Sequence, residues 1–371
     1  MRVLQVIGAM DRGGAETVVM NLLRVMDREK VQFDFLVHTQ RRCDYDDEIE
    51  ALGGRIYRVP LYNIVNARKY RACCREHFRA HPEHRVVHGH IGSCAGIYLD
   101  EAQKAGRATV LHSHSQNYER FPMQQIFNWM ARPGLKVADF FLACSPEAGR
   151  DRFGDAIFRS ELCRVMPNGV DTSLYRCDEA AHKQAKADLG LAGNLVVGHV
   201  GRFIEVKNHR FLLKVFARLH DRRPDARLLL LGRGPLEDDV RAQARDLGLE
   251  DCVVFCGVRD DVPRYLKAFD LFVFPSVLEG LPMATIEAQA AGVPCLFSTG
   301  VPQSALASGF ARRLDLEAGE EAWAAAALEQ AALDRPRVEG ASDVARAGYD
   351  IRKTAQWLAD LYASLASGLP E

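Results

Sequence analysis

Apolar residues along the chain fall into two alternating kinds of segment. Short runs rich in Val, Leu, Ile and Phe are separated by longer stretches in which apolar positions recur every three or four residues. The short runs predict strands at 2–7 (RVLQVI), 33–37, 55–59, 85–90, 108–112 and 139–143. A second set follows at 164–166, 195–200 (LVVGHV), 227–231 (RLLLL), 252–256, 270–274 and 294–298. The longer stretches predict helices, among them 15–26, 65–80, 209–221, 235–247, 262–268 and 282–291. Strands apolar on both faces, alternating with helices, mark parallel sheets covered on both sides. The series begins twice, each time with a strand running into a Gly-containing turn and a helix. Two doubly wound domains follow, with a seam near the turn-forming run Pro167-Asn168-Gly169-Val170-Asp171. After residue 300 the strand signal fades into Ala-rich helix. The last helix, 350–366, carries Trp357, Leu358, Leu361, Tyr362 and Leu365 as an apolar stripe that must pack on something.

Composition narrows the class. A chain of 371 residues is long enough for two domains. Its 48 Lys+Arg against 49 Asp+Glu exclude a generic nucleic-acid binder, which would show a clear basic excess. Ten scattered cysteines without a CxxC pair suggest free, mostly buried thiols of a reducing cytoplasm. The opening apolar run is too short for a signal peptide, and no stretch approaches ~18 apolar residues, so the expectation is a cytoplasmic protein.

The balanced charge is unevenly spread. Residues 1–172 hold 24 cations and 21 anions, and 173–371 hold 24 and 28. The excess is concentrated in 55–90, where eight cations face two anions. In 66–80, Arg68, Arg71, Arg75 and Arg79 fall on one helical face. That face suits either solvent or an anionic membrane surface.

Four constellations could carry chemistry. Glu279-Gly280-Leu281-Pro282-Met283 follows a buried strand, and Pro282 suits the first position of a helix that also carries Glu287. Open N–H groups at such a helix start favour anionic or hydroxyl-rich ligands, and two carboxylates can accept from two sets of hydroxyls. In Gly201-Arg202-…-Lys207, two cations five residues apart after a strand can converge on a diphosphate; two solvated surface cations are the other reading. Gly13-Gly14 at a helix start permits close backbone approach to a phosphate or sugar, whereas Gly232-Arg233-Gly234 reads as mainly structural. Finally, His88-Gly89-His90 and His112-Ser113-His114 lie at strand ends. With no acidic or Cys partner at ligand spacing, polar contact or proton handling is favoured over a metal. Asp44-Tyr45-Asp46 has a metal-binding DxD spacing but reads as a solvated loop.

Taken in order, Gly13-Gly14-Ala15-Glu16, Pro167-Asn168-Gly169-Val170-Asp171, Gly201-Arg202 with Lys207, and Glu279-x7-Glu287 resemble the family-four retaining glycosyltransferases of the GT-B fold, over nearly the whole chain. The resemblance implies two Rossmann-like domains facing a central cleft. An acceptor-side domain would span 1–168, a nucleotide-sugar domain 169–349, and a final helix, 350–371, would pack back on the first. It implies transfer of a hexose or N-acetylhexosamine from a nucleotide-diphospho-sugar, foremost a UDP-sugar, to a glycan or lipid-linked acceptor in surface polysaccharide synthesis. Configuration would be retained, without metal or other cofactor. A GT-B nucleotide-sugar epimerase and a non-catalytic two-lobed sugar-binding protein are the alternatives. Arg202 and Lys207 would hold the diphosphate, Glu287 the ribose, Glu279 the donor sugar, and the Gly280–Met283 backbone sugar and phosphate. Gly201 would start the diphosphate loop and Arg259 would help frame the base. Gly13, Gly14 and a histidine, His114 or alternatively His112, would face the acceptor and reacting sugar. Such an enzyme could also sit peripherally on the inner face of the plasma membrane.

Overall fold

The computed structural model describes residues 1–114 and 123–368. The last three residues of the expected final helix, 369–371, lie outside them. The chain divides into two compact units, Met1–Gly169 with Ile351–Glu371, and Val170–Asp350.

Unit 1 is built on a seven-stranded parallel sheet. Its strands are β1 (Arg2–Ile7), β2 (Gln32–Val37), β3 (Ile56–Arg58), β4 (His84–Gly89), β5 (Ala108–Ser113), β6 (Phe140–Ala143) and β7 (Cys163–Val165), in the order β3-β2-β1-β4-β5-β6-β7. The connecting helices are α1 (Gly14–Val25), α2 (Asp46–Ala51), α3 (Ala67–Ala80), α4 (Ala95–Lys104), α5 (Met123–Val137) and α6 (Pro146–Phe158). Strand order reverses between β1 and β4.

Unit 2 repeats the plan with β8 (Leu195–Val200), β9 (Ala226–Leu231), β10 (Val253–Gly257), β11 (Leu271–Phe274), β12 (Cys295–Ser298) and β13 (Ala311–Leu314), in the order β10-β9-β8-β11-β12-β13. Its helices are α7 (Thr172–Tyr175), α8 (Glu179–Asp188), α9 (His209–Arg222), α10 (Glu237–Asp246), α11 (Val262–Ala268), α12 (Met283–Ala290), α13 (Gly319–Ala331) and α14 (Glu339–Arg346). Here the reversal falls between β8 and β11. In open parallel sheets, ligands bind beyond the carboxyl ends of strands at such a reversal.

A final helix, α15 (Ile351–Ser367), packs on α1 and β4 of unit 1. Its buried line is Ile351, Thr354, Ala355, Leu358, Tyr362 and Ala366, so Trp357, Leu361 and Leu365 flank the seam instead of forming it. Tyr362 is fully buried and reaches His88 Nδ1 at 2.6 Å and Gln5 at 3.4 Å.

Three expectations need correction. The strand signal does not end at 300: β13 pairs with β12, but its sequence ARRL is half solvated at a sheet edge and lacks a strong apolar pattern. Pro282 caps α12 in extended conformation, one residue before the helix begins. Asp46 is not solvated; it is fully buried at the start of α2, paired with Arg58 at 2.5 Å and accepting from the Cys43 N–H.

The basic face of α3 is also divided. Arg71 pairs with Asp100 and Glu101, and Arg75 with Glu101, whose side chain is almost wholly buried. Only Arg68 and Arg79 of the four, with Lys69, keep exposed side chains without an ion pair among the described residues. The four do not form one free basic surface, because α4 supplies the counter-charges. All ten cysteines are unpaired thiols, and among the described residues no helix is long and apolar enough to cross a membrane.

Candidate functional site

In unit 2 the reversal of strand order brings two separate sequence motifs together. Gly201–Lys207 leaves β8 and Glu279–Met283 leaves the neighbouring β11. Lys207 Nζ lies 2.7 Å from Glu279 Oε1 and 4.6 Å from the centre of the Phe274 ring. The pair is largely shielded, and the main chain fixes both partners: Val277 N–H donates to Val206 O at 2.8 Å and Glu279 N–H to Gly300 O at 3.0 Å. Asn208, with φ 55°, ends the loop in left-handed conformation and ties it to Pro275 O at 3.2 Å.

The Gly201 loop rests on Gly232-Arg233-Gly234. Gly232 has φ 137°, and a Cβ there would stand 2.1 Å from Gly201 O, so only glycine fits. Phe203 N–H donates to Arg233 O at 3.1 Å, consistent with the structural role expected of that turn. Arg202 projects outward, exposed and without an ion pair among the described residues.

No side chain caps α12; Thr285 N–H already donates to Pro282 O at 3.1 Å, so the helix start presents the Met283 and Ala284 N–H groups beside buried Gly280, Leu281 and Pro282, with Met283 half-buried. Glu287 lies inside this helix, buried, with Tyr175 as its hydrogen-bond partner. Burial pushes its carboxyl up to about 7, although the Tyr175 bond works the other way. Arg259 is exposed, follows β10, pairs with Asp261 at 3.2 Å and stands over the Tyr265 ring.

Unit 1 presents different chemistry at its own reversal. Gly13 caps α1 without a side-chain bond, and a Cβ there would collide with the Glu16 carboxylate. Asp11 of the same loop is paired with Arg41. Alternation along β4 and β5 turns both His-x-His pairs to one side. Their parallel register, His88 beside Val110 and Gly89 beside Leu111, then sets the pairs next to each other. Ring centroids are 4.4 Å apart for His88–His90, 5.2 Å for His88–His112 and 4.0 Å for His112–His114. His90 Nδ1 meets His114 Nε2 at 2.7 Å, and His90 Nε2 meets Gln5 Oε1 at 2.9 Å. Burial keeps all four rings neutral, lowering His88 to about 3 and His114 to about 4. Read separately, each pair offers two imidazoles; the pairing of β4 with β5 brings the two pairs together, which sequence spacing does not show.

Two domains built on parallel Rossmann-like sheets are the architecture of the GT-B class. Residues 12–174 match the family model described as Glycosyltransferase Family 4, and residues 194–332 match Glycosyl transferases group 1. EpsF of Bacillus subtilis is 38% identical, over 97% of this chain and 96% of its own. An Escherichia coli UDP-Gal:alpha-D-GlcNAc-diphosphoundecaprenol alpha-1,3-galactosyltransferase is 27% identical over 65% of this chain and 60% of its own. The crystal structure of Anabaena HepE in complex with UDP superposes with a TM-score of 0.81 at 21% identity, covering 98% of this chain and 100% of that one. The chain belongs to the family-four, group 1 glycosyltransferases.

Proposed function

We propose that this glycosyltransferase moves a hexose or N-acetylhexosamine from a UDP-sugar to a glycan or lipid-linked acceptor in surface polysaccharide synthesis, retaining the anomeric configuration. The observation that carries this reading is the 2.7 Å Lys207–Glu279 pair at the reversal of the unit 2 sheet. In a nucleotide-diphospho-sugar, the diphosphate and the sugar hydroxyls are neighbours, so an adjacent cation and carboxylate match the donor's two chemistries. Lys207 turns to the diphosphate together with Arg202, and Glu279 accepts from the sugar hydroxyls.

The open N–H groups at the start of α12 add fixed positive dipoles, with Gly280–Met283 lining their approach. Glu287 binds the ribose: near-neutral protonation lets its carboxyl both donate to and accept from hydroxyls. Gly201 shapes the loop and Arg259 frames the base. Unit 1 serves the acceptor, through Gly13, Gly14 and His114, with His112 as the alternative histidine.

No side chain is assigned as a covalent nucleophile. The acceptor hydroxyl attacks the anomeric carbon on the face the nucleotide leaves, the bond from that carbon to the diphosphate oxygen breaks, and the hydroxyl proton passes to the leaving diphosphate, which carries the developing negative charge. Arg202 and Lys207 stabilise that charge as it develops, which does the work a divalent cation would do elsewhere. Positioning of the two substrates supplies the remainder.

The UDP bound to the Anabaena structure and the UDP-galactose and diphosphoundecaprenol in the Escherichia coli enzyme's name support a UDP-sugar and a lipid-linked acceptor. Exposed Leu61, Ile64 and Val65, just before Arg68 and Lys69, support contact with the inner face of an anionic membrane. The test is nucleotide release from UDP-, GDP- and ADP-sugars with and without acceptor. Release of UDP that requires acceptor and survives EDTA is expected. Acceptor-independent isomerisation would make the chain an epimerase, and binding without release a sugar-binding protein.

A further inference from the structure

A neutral imidazole carries one donor nitrogen and one acceptor, and leaving either unmade in a buried site is costly. In the β4–β5 group, His88 Nε2, both nitrogens of His112 and His114 Nδ1 are buried and lack a partner among the described residues. A cation that accepts lone pairs would partner His88 Nε2 and one nitrogen of His112.

We propose that His88, His90 and His112 bind one transition-metal dication of the zinc class. One ring nitrogen from each lies within 4.8 Å of the others. Three imidazoles around zinc at tetrahedral angles need nitrogens roughly 3.3 Å apart. His112 closes that gap most easily, having no side-chain hydrogen bond to lose among the described residues. The other two ligands already have the outer partners typical of metal-bound histidine. Tyr362 OH holds His88 Nδ1 at 2.6 Å, which directs Nε2 inward. Gln5 Oε1 accepts from His90 Nε2 at 2.9 Å, which leaves Nδ1 for the ion. The group contains neither carboxylate nor thiol, a donor set that suits zinc, nickel or cobalt and not magnesium or calcium.

His90 Nδ1, which meets His114 Nε2 at 2.7 Å, is the one ligand atom that exchanges a hydrogen bond for the ion. The ion is held by unit 1 alone. Arg202, Lys207 and Glu279, all in unit 2, keep their place in the donor reading whether or not it binds.

The full-length chain, stripped with a chelator and desalted, is titrated with Zn2+ by calorimetry. One ion per chain is expected. His88→Gln and Tyr362→Phe should each weaken binding by about tenfold or more. His81→Gln, in a separate cluster beside Tyr57, should not. Co2+ loading gives a second readout that needs no variant: visible bands of a low-coordinate nitrogen site without thiolate charge transfer. No stoichiometric uptake, equal uptake by His88→Gln and the unaltered chain, or a thiolate band assigning the ion to cysteines would each overturn the proposal.

Discussion

The two units carry their polar residues at the same topological place and use opposite kinds of chemistry there. Where β8 meets β11, unit 2 gathers a lysine–glutamate pair, an exposed arginine and an uncapped helix start. Where β1 meets β4, unit 1 has buried neutral imidazoles, and the one acidic group of its first loop, Asp11, is neutralised by Arg41. The shared fold decides where a ligand can approach, and the local sequence decides its charge. A diphosphate suits the first edge, and an uncharged hydroxyl, deprotonated only as it reacts, suits the second.

The largest effect should come from breaking the charged edge. Lys207→Ala removes a group aimed at developing phosphate charge, and kcat/KM for the donor should fall roughly 10²–10³-fold in a nucleotide-release assay. The fold should persist by circular dichroism with a lowered Tm, since Glu279 is left largely shielded without its partner. At the neutral edge, His114→Ala should lower kcat by about 10²-fold, a loss typical of a positioned proton-handling group, with donor KM nearly constant. A rise in donor KM of the same size would erase the division between the edges.

The pH dependence of stability sharpens the contrast, because the two edges should respond with opposite sign. Glu287 ionises near 4.5 when unfolded and near 7 when folded. The folded state therefore holds the extra proton between those values, and stability falls as pH rises through that window. His88 ionises near 6.5 unfolded and near 3 folded, so the unfolded chain holds the extra proton and stability rises with pH between them. Relative to the unaltered chain, Glu287→Gln should raise Tm above pH 7 more than at pH 4.5. His88→Gln should instead lessen the loss of Tm on acidification. Thermal melts across that range check both signs.

The smallest effect concerns the membrane. Charge-removing substitution of Arg68 and Lys69 should weaken sedimentation with anionic vesicles by about fivefold per residue. Arg71→Ala should do less there, because its charge is already spent on Asp100 and Glu101. Equal losses at both sites would show that α3 acts as one basic face after all.

The apolar runs of β1, β8 and β9 were legible in the sequence because they are buried on both faces and leave no ambiguity of period. The edge strand β13 was not, since its two arginines hide the pattern. Lys207 and Glu279 were legible as motifs 72 residues apart, but their direct pairing depends on which strands become neighbours. The same holds for the histidines, whose grouping arises only when β4 pairs with β5. The division of the α3 arginines was invisible for a related reason: Glu101 lies on another helix, and helical spacing within α3 says nothing about it.

The division of labour between the edges is tested most directly by calorimetric titration of UDP into the unaltered chain, Lys207→Ala and His114→Ala. UDP affinity should fall about tenfold or more in Lys207→Ala, the loss expected on removing a charge-assisted contact, and should stay within about twofold in His114→Ala. Equal weakening in both variants, or undiminished affinity in Lys207→Ala, would contradict the assignment of the donor diphosphate to the charged edge of unit 2.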